Sequence, residues 1–188
     1  MAYSMRETWD GLPISPEPPY GAAIVVFRRV GDTLELLMLH RAHHGPEYEG
    51  DWAWTPPSGS RLPGEPIEAC ARRELLEESG LDLELEPTDC GTAEWVVFVA
   101  EAPADAQVLL DAEHDRYAWL PCEAALSRCR PDLAATPLQT AVTLIGTRCG
   151  VELLAAAVGA ESAEQRIQHT EVTGIAGQDA SERCPSSG

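Results

Sequence analysis

Residues 59–81 read GSRLPGEPIEACARRELLEESGL and fit the pattern G-x5-E-x7-R-E-U-x-E-E-x-G-U, where U is an apolar residue, at every defined position. Those positions are Gly59, Glu65, Arg73, Glu74, Leu75, Glu77, Glu78, Gly80 and Leu81. So many fixed identities at fixed spacing would arise by chance in well under about one chain in a million. The stretch is therefore specific enough to predict both a local fold and a chemistry.

The middle of this stretch is predicted to be a helix between two loops. Gly59 and Gly64, with three nearby prolines, indicate a loop before it, and Pro66 suits a first helical turn. Gly80 supplies the stop expected at a helix C-terminus.

One face of the predicted helix combines apolar residues with carboxylates. At about 100° per residue, the apolar arc consists of Ile67, Cys70, Ala71 and Leu75. Glu74 and Glu78 fall inside this arc, and Glu77 lies at its edge. Because burying an unpaired charge costs several kcal/mol, clustered inward carboxylates require a cation. Hard carboxylate oxygens suit Mg²⁺ or Mn²⁺ better than zinc.

The alternative is a solvated acidic helix in which Arg73 and Glu77 pair at i,i+4, a contact worth a few tenths of a kcal/mol. Charge runs are more often surface than site. The glycines and prolines at both ends favour the inward-facing arrangement instead.

Composition excludes several classes of partner. The chain has 188 residues and a net charge of -18, from 31 acidic and 13 basic residues. This balance argues against nucleic-acid and anionic-membrane surfaces, which need Lys and Arg to neutralise phosphates. No secretion signal or membrane-spanning run is visible, so a soluble cytoplasmic protein is expected. The six cysteines lack CxxC spacing, and reduced thiols are expected.

The order of elements predicts a mixed α/β sandwich. After an extended arm at residues 1–19, strands are predicted at 21–29 and 34–40 as a hairpin, then at 93–102, with shorter candidates at 108–111 and 117–120. Helices are expected at 122–130 and 137–148. Residues 149–188 form a predicted low-order tail, because it is rich in Ser, Gly, Glu and Gln.

The motif and its flanks resemble the Nudix hydrolase family over residues 20–148. The resemblance implies an α/β/α sandwich with a mixed β-sheet, and metal-dependent cleavage of a phosphoanhydride in a nucleoside diphosphate derivative. It implies that Glu74, Glu77 and Glu78 bind metal and supply the base, with the base left open among them. It also implies a metal ligand in the Gly59 carbonyl, an orienting role for Arg73, and a structural role for Glu65.

Two flanking stretches resemble the asymmetrical diadenosine tetraphosphate hydrolase branch. They are WTPP at residues 54–57 and EHDRYAWL at residues 113–120. The resemblance implies that Glu113 lies near the metals and Tyr117 near the nucleotide. Ser58 stands where that branch commonly has Lys, and Ser60 where it has His, so Arg41, His43 or His44 is a candidate replacement for a phosphate contact. Trp54 and Trp119 are interpreted as core residues rather than base-stacking platforms.

Three functions are compatible with these patterns. The first is a pyrophosphohydrolase acting on a nucleoside polyphosphate, with diadenosine tetraphosphate, nucleoside triphosphates, dihydroneopterin triphosphate and ADP-ribose as candidate substrates. The second is a Nudix-fold module that binds a nucleotide without cleaving it. The third, an acidic structural protein with incidental Ca²⁺ binding, does not explain the glycines and Arg73 at fixed spacing.

Overall fold

A β-hairpin begins the fold. The computed structural model describes residues 7–8 and 11–150, and the backbone of 168–169. Strands β1 (Gly21–Val30) and β2 (Thr33–Arg41) pair antiparallel from Phe27↔Leu36 to Val30↔Thr33. The turn between them contains Gly31 at a φ of 61°, which glycine adopts without a steric penalty. The predicted hairpin is confirmed.

The hairpin lies in the middle of a mixed sheet of order β5-β6-β1-β2-β7-β8. Strand β6 (Trp95–Glu101) runs parallel to β1, whereas β7 (His114–Pro121) runs antiparallel to β2. Four short strands complete the sheet: β3 (Trp54–Thr55) on β2, β4 (Ser58–Ser60) on β1, β5 (Glu86–Pro87) on β6 and β8 (Gln168–His169) on β7.

Helices cover both faces of this sheet, as predicted for an α/β/α sandwich. Helix α1 (Ile67–Ser79) packs on one face, and α2 (Cys122–Arg128) and α3 (Asp132–Cys149) pack on the other. Alternate residues of a strand point to opposite faces. Ile24 and Val26 therefore pack with the α1 side, and Val25 and Phe27 with the α2 and α3 side.

The predicted ends of α1 are confirmed. Pro66 lies directly before its first residue, and Gly80 follows its last in the left-handed conformation with a φ of 68°. The Gly80 N–H donates to the Leu76 carbonyl at 2.9 Å, which satisfies one of the carbonyls left open at the helix end.

Two predicted elements are wrong in detail. Residues 108–111 form no strand: the Leu109 N–H donates to the Ser79 carbonyl at 2.9 Å, and Val108 is buried beside α1. Helix α3 begins at Asp132 rather than Pro137, which lies inside it. Proline has no N–H to donate to the carbonyl of Leu133, a residue that is exposed in the first turn.

The described part of the N-terminal arm is tied to the loop before α1. The Arg61 guanidinium donates to the carbonyls of Pro19 at 2.7 Å and Glu17 at 2.6 Å, and to the Ser15 hydroxyl at 2.7 Å. The Ser15 N–H donates in return to the Arg61 carbonyl at 2.7 Å. The arm is thereby held against the loop that carries the motif. The predicted low-order tail lies outside the described residues, apart from Cys149, Gly150 and β8.

Within the described residues, no helix is both long and apolar enough to cross a bilayer. The five cysteines of that part, Cys70, Cys90, Cys122, Cys129 and Cys149, are not paired with one another. Burial raises the pKa of the Cys70 thiol to about 12, so it is neutral beneath the motif loop.

The packing of α1 predicts a large loss of stability for substitution of one leucine and a small loss for its neighbour. Leu75 is 1% exposed against the sheet, whereas Leu76 is 54% exposed. Leu75→Ala should lower the free energy of unfolding by about 2–5 kcal/mol, because it removes buried methyl groups and leaves a cavity. Leu76→Ala should change it by less than about 0.5 kcal/mol. Urea unfolding measures both, and equal losses would contradict the assigned inward face of α1.

Candidate active site

The carboxylates of α1 divide between buried and exposed positions, as the predicted helix face requires. Glu74 is 9% exposed and Glu78 is 5% exposed, whereas the Glu77 side chain is 55% exposed. Burial raises the pKa of Glu74 and raises that of Glu78 well above its usual range. The surface alternative for this helix is therefore wrong for Glu74 and Glu78.

Arg73 is the cation that holds this cluster together. Its guanidinium forms a two-pronged contact with Glu65, from Nε to Oε1 at 2.9 Å and from Nη2 to Oε2 at 3.0 Å. Nη1 also donates to Glu74 at 2.7 Å and to Glu77 at 3.2 Å, and Nη2 donates to the Ser60 carbonyl at 3.0 Å. Arg73 thus fixes the orientation of Glu74, and its hydrogen bonds lower the pKa of Glu65.

Strand β4 brings the backbone against these carboxylates. A Cβ at Gly59 would overlap the Glu74 carboxylate, so this close approach requires glycine. The neighbouring Ser58 N–H donates to Glu78 Oε2 at 2.8 Å. A charge-assisted hydrogen bond of this kind fixes the second buried carboxylate against the loop.

A histidine completes the surroundings of Glu78. His114 is buried, and its Nε2 lies 4.0 Å from Glu78 Oε1. Its Nδ1 is 3.0 Å from Asp111 Oδ1, which also accepts the Glu113 N–H at 3.1 Å. Sequence reasoning missed His114 and Asp111 as neighbours of the carboxylates. Their proximity in sequence to Glu113 was a signal that could have indicated them. Their position near α1, however, depends on the path of residues 108–113, which the sequence pattern did not predict.

The carboxylates of α1 and the backbone of β4 line a cavity of about 560 Å³, a volume typical of small-molecule sites. Every predicted site residue except Tyr117 lines it: Arg41, Ser58, Gly59, Arg73, Glu74, Glu77, Glu78 and Glu113. A larger cavity of about 790 Å³ lies between α3 and residues 87–90 and contains none of them. The smaller cavity is the candidate active site because it gathers the buried charges.

Arg41 has the features of an anion contact. It ends β2 at the cavity, and its buried Nε has no hydrogen-bond partner. A buried donor without a partner is costly unless a ligand satisfies it. His43 and His44 are exposed, contact each other's rings, and are not among the lining residues. Of the three candidates for the missing phosphate contact, the structure brings Arg41 to the cavity.

Three aromatic residues of the flanking stretches lie in the core. Trp54 and Trp119 are buried, as predicted. Tyr117 is also buried, on the α1 side of the sheet beside Leu39, and the structure does not bring it to the cavity. Its place in β7 follows from strand alternation, which directs residue 117 to the α1 face. Tyr117 is thus not among the residues that line this cavity, and its contact with the nucleotide stays a prediction.

The donor types of this site fit a divalent cation. Two buried carboxylates and a glycine carbonyl offer hard oxygens. The pKa values of Glu74 and Glu78 are raised because nearby positive charges and hydrogen bonds do not fully compensate for the burial of these carboxylates. In the described part of the chain, no three acidic, histidine or cysteine side chains form a ready-made cluster. Arg73 and the Ser58 N–H hold the carboxylates instead.

Comparison with known proteins gives one family and a set of similar folds. The family model described as NUDIX domain matches residues 17–139. An octanoyltransferase of Myxococcus xanthus is 32% identical over 126 residues, covering 61% of this chain and 34% of that protein. This chain thus spans about a third of the length of the curated relative that it matches.

Solved structures show the same fold at low sequence identity. An Ap4A hydrolase of C. elegans in a binary complex has a TM-score of 0.53 at 21% identity, covering 68% of this chain and 97% of that one. The dihydroneopterin triphosphate pyrophosphohydrolase of E. coli has a TM-score of 0.52 at 21% identity, covering 69% and 99%. The Nudix hydrolase RenU of M. smegmatis has a TM-score of 0.57 at 16% identity, covering 82% and 100%.

Two neighbouring arginines of α1 test the network. Arg73→Lys should lower the free energy of unfolding by about 1.5–3 kcal/mol, because lysine cannot reproduce the fork that reaches Glu65, Glu74 and Ser60. Arg72 pairs with Glu68 at the surface at 3.2 Å, so Arg72→Lys should cost less than about 0.5 kcal/mol. Urea unfolding measures the loss of stability in both variants. Equal losses would show that Arg73 is only a surface charge.

Proposed function

The chain belongs to the Nudix hydrolase family, and on that premise we propose that it hydrolyses a phosphoanhydride bond of a nucleoside polyphosphate with the help of Mg²⁺ or Mn²⁺. The observation that carries the proposal is the pair of buried carboxylates, Glu74 and Glu78, on one wall of a cavity. Carboxylates that only solubilise a helix stay in water. Burying charged carboxylates costs free energy, and a metal-dependent reaction is a reason for a protein to keep them buried.

We assign the cation to oxygens of α1, β4 and the segment before β7. The proposed ligands are the Gly59 carbonyl and the carboxylates of Glu74, Glu77, Glu78 and Glu113, all of which line the cavity. A bound divalent cation supplies a water of lowered pKa and neutralises charge on the phosphates. Glu77 is exposed and is held only by the longer contact from Arg73, so it is freer to move than Glu74 and Glu78.

The protein's own groups set the positions of the base and the substrate. Arg73 holds Glu74, and the Ser58 N–H holds Glu78, so both carboxylates are oriented before substrate arrives. One of these two takes the proton from the attacking water. Arg41 offers its unpartnered Nε to a phosphate oxygen, and with Arg73 it places positive charge among the carboxylates of the lining.

Among nucleoside polyphosphates, we propose a dinucleoside polyphosphate such as diadenosine tetraphosphate as the substrate. The support is Glu113, from the stretch that resembles the asymmetrical hydrolases, which lines the same cavity as the carboxylates of α1. The fold alone does not select among substrates, because the similar structures include an Ap4A hydrolase and a dihydroneopterin triphosphate pyrophosphohydrolase at nearly equal TM-scores. Octanoyl transfer is not proposed, since the match covers 34% of that protein.

Two glutamates on the same helix test the catalytic assignment. Glu78→Gln keeps the size of the side chain and removes its charge, so turnover with Mg²⁺ should fall at least about a hundredfold. Glu68 is exposed on the outer side of α1, and Glu68→Gln should keep turnover within about twofold. Chromatographic separation of the products from a nucleotide panel that includes diadenosine tetraphosphate measures both. Near-normal turnover by Glu78→Gln would show that this face of α1 is not catalytic.

The substrate assignment predicts a product pair. Diadenosine tetraphosphate should be cleaved asymmetrically to ATP and AMP, whereas symmetrical cleavage would give only ADP. Ser58→Lys should lower KM, because one well-placed charge-assisted contact to phosphate is worth about 1.5–3 kcal/mol. Chromatographic separation of the products, with kcat and KM for each nucleotide, checks this. A tenfold preference for a nucleoside triphosphate or ADP-ribose would refute the proposed substrate and leave the hydrolase assignment intact.

A further inference from the structure

The lining of the active-site cavity includes a second group of side chains whose chemistry differs from that of the carboxylates. They are apolar and aromatic: Leu12, Ile14, Trp52, Trp95 and Leu133. These residues come from the arm, the loop before β3, the start of β6 and the first turn of α3. Such side chains do not bind a metal ion or a phosphate. If they bind a ligand, they contact another part of it.

Trp95 lies beside the loop that carries the proposed metal ligand. It is the first residue of β6 and pairs with Gly21 of β1, on the strand face that also directs Val97 toward α3. A Cβ at Gly21 would overlap both the Trp95 ring and the Gly59 carbonyl oxygen, so these two groups are neighbours across Gly21. The half-buried indole therefore presents an aromatic surface next to the reacting end of the cavity.

Trp52 is held at the cavity in an unusual conformation. Its φ of 65° is the only positive value at a non-glycine residue in the part of the chain that the structure describes. A large residue in this region is strained, and such strain concentrates at functional sites. The Trp52 N–H donates to the Arg130 carbonyl at 2.8 Å, which fixes the backbone while the side chain stays 41% exposed.

Exposed apolar side chains are concentrated at this place. Over the described residues six large hydrophobic side chains are exposed, and three of them, Leu12, Trp52 and Leu133, line this one cavity. Leu133 is 73% exposed on the first turn of α3. Clustered exposed apolar surface at a concave site indicates a ligand surface rather than chance exposure.

We propose that Trp52 and Trp95 determine the specificity of this site by stacking on the nucleobase of its substrate. The inference rests on the proposed function, because the carboxylate end and Arg41 take the phosphates. A ligand that joins phosphates to a flat aromatic ring matches both groups of side chains in the lining of one cavity. Stacking reads a π-face that every base has, so these residues select nucleotides over other polyphosphates without choosing among the bases.

The test compares one ligand that has a ring with one that lacks it. Binding of the non-hydrolysable α,β-methylene analogue of ADP and of inorganic tripolyphosphate, each with Mg²⁺, is measured by calorimetry and by indole fluorescence. Trp52→Leu and Trp95→Leu should each weaken the analogue at least about fivefold and tripolyphosphate by less than twofold. Trp95→Phe, which keeps an aromatic face, should retain most of the affinity. Wild-type fluorescence should be quenched by the analogue alone.

Val30→Ala is the matched control, because Val30 is an exposed apolar residue outside the cavity, and it should bind both ligands as wild type does. Equal weakening of both ligands, unchanged binding of the analogue by both leucine variants, or absence of wild-type quenching would overturn the inference. Because binding is measured without turnover, the outcome is separate from the proposed function. A protein inactive on every nucleotide could still show the ring-dependent difference, and an active one could lack it.

Discussion

The Arg73 fork is the interaction on which the site depends. It joins Glu65 before α1, Glu74 within α1 and the Ser60 carbonyl of β4, so one guanidinium ties the helix to the loop and to the sheet. Without it, buried carboxylates would repel one another and the loop backbone. The raised pKa values of Glu74 and Glu78 show that this compensation is incomplete. The proposed divalent cation would complete this compensation.

Two glycines let the chain approach itself closely enough to build this arrangement. Gly59 admits the Glu74 carboxylate against β4, and Gly21 admits the Trp95 ring beside the Gly59 carbonyl. Both positions lie where β1 meets a neighbouring strand. The same part of the sheet therefore supports both acidic and aromatic residues of one cavity. The glycines at these two positions allow acidic and aromatic side chains to line the same cavity.

The motif predicted α1, its ends and its inward carboxylates because all three follow from local rules of periodicity and capping. Local rules failed where tertiary contacts decide. Residues 108–111 pack on the end of α1 instead of pairing as a strand, and α3 begins before Pro137. Tyr117 was expected at the nucleotide but faces the core, whereas His114, Trp52 and Trp95 reach the cavity or its carboxylates only through long-range contacts.

The central claim is that the buried carboxylates of α1 bind a divalent cation. Electron paramagnetic resonance of Mn²⁺ tests it most directly, because the signal of free Mn²⁺ decreases as the ion binds. The account predicts that wild-type protein and Glu68→Gln remove Mn²⁺ from solution equally, and that Glu74→Gln and Glu78→Gln each bind it at least about tenfold more weakly, a loss of about 1.4 kcal/mol. Unchanged Mn²⁺ affinity in both of the latter variants would contradict it.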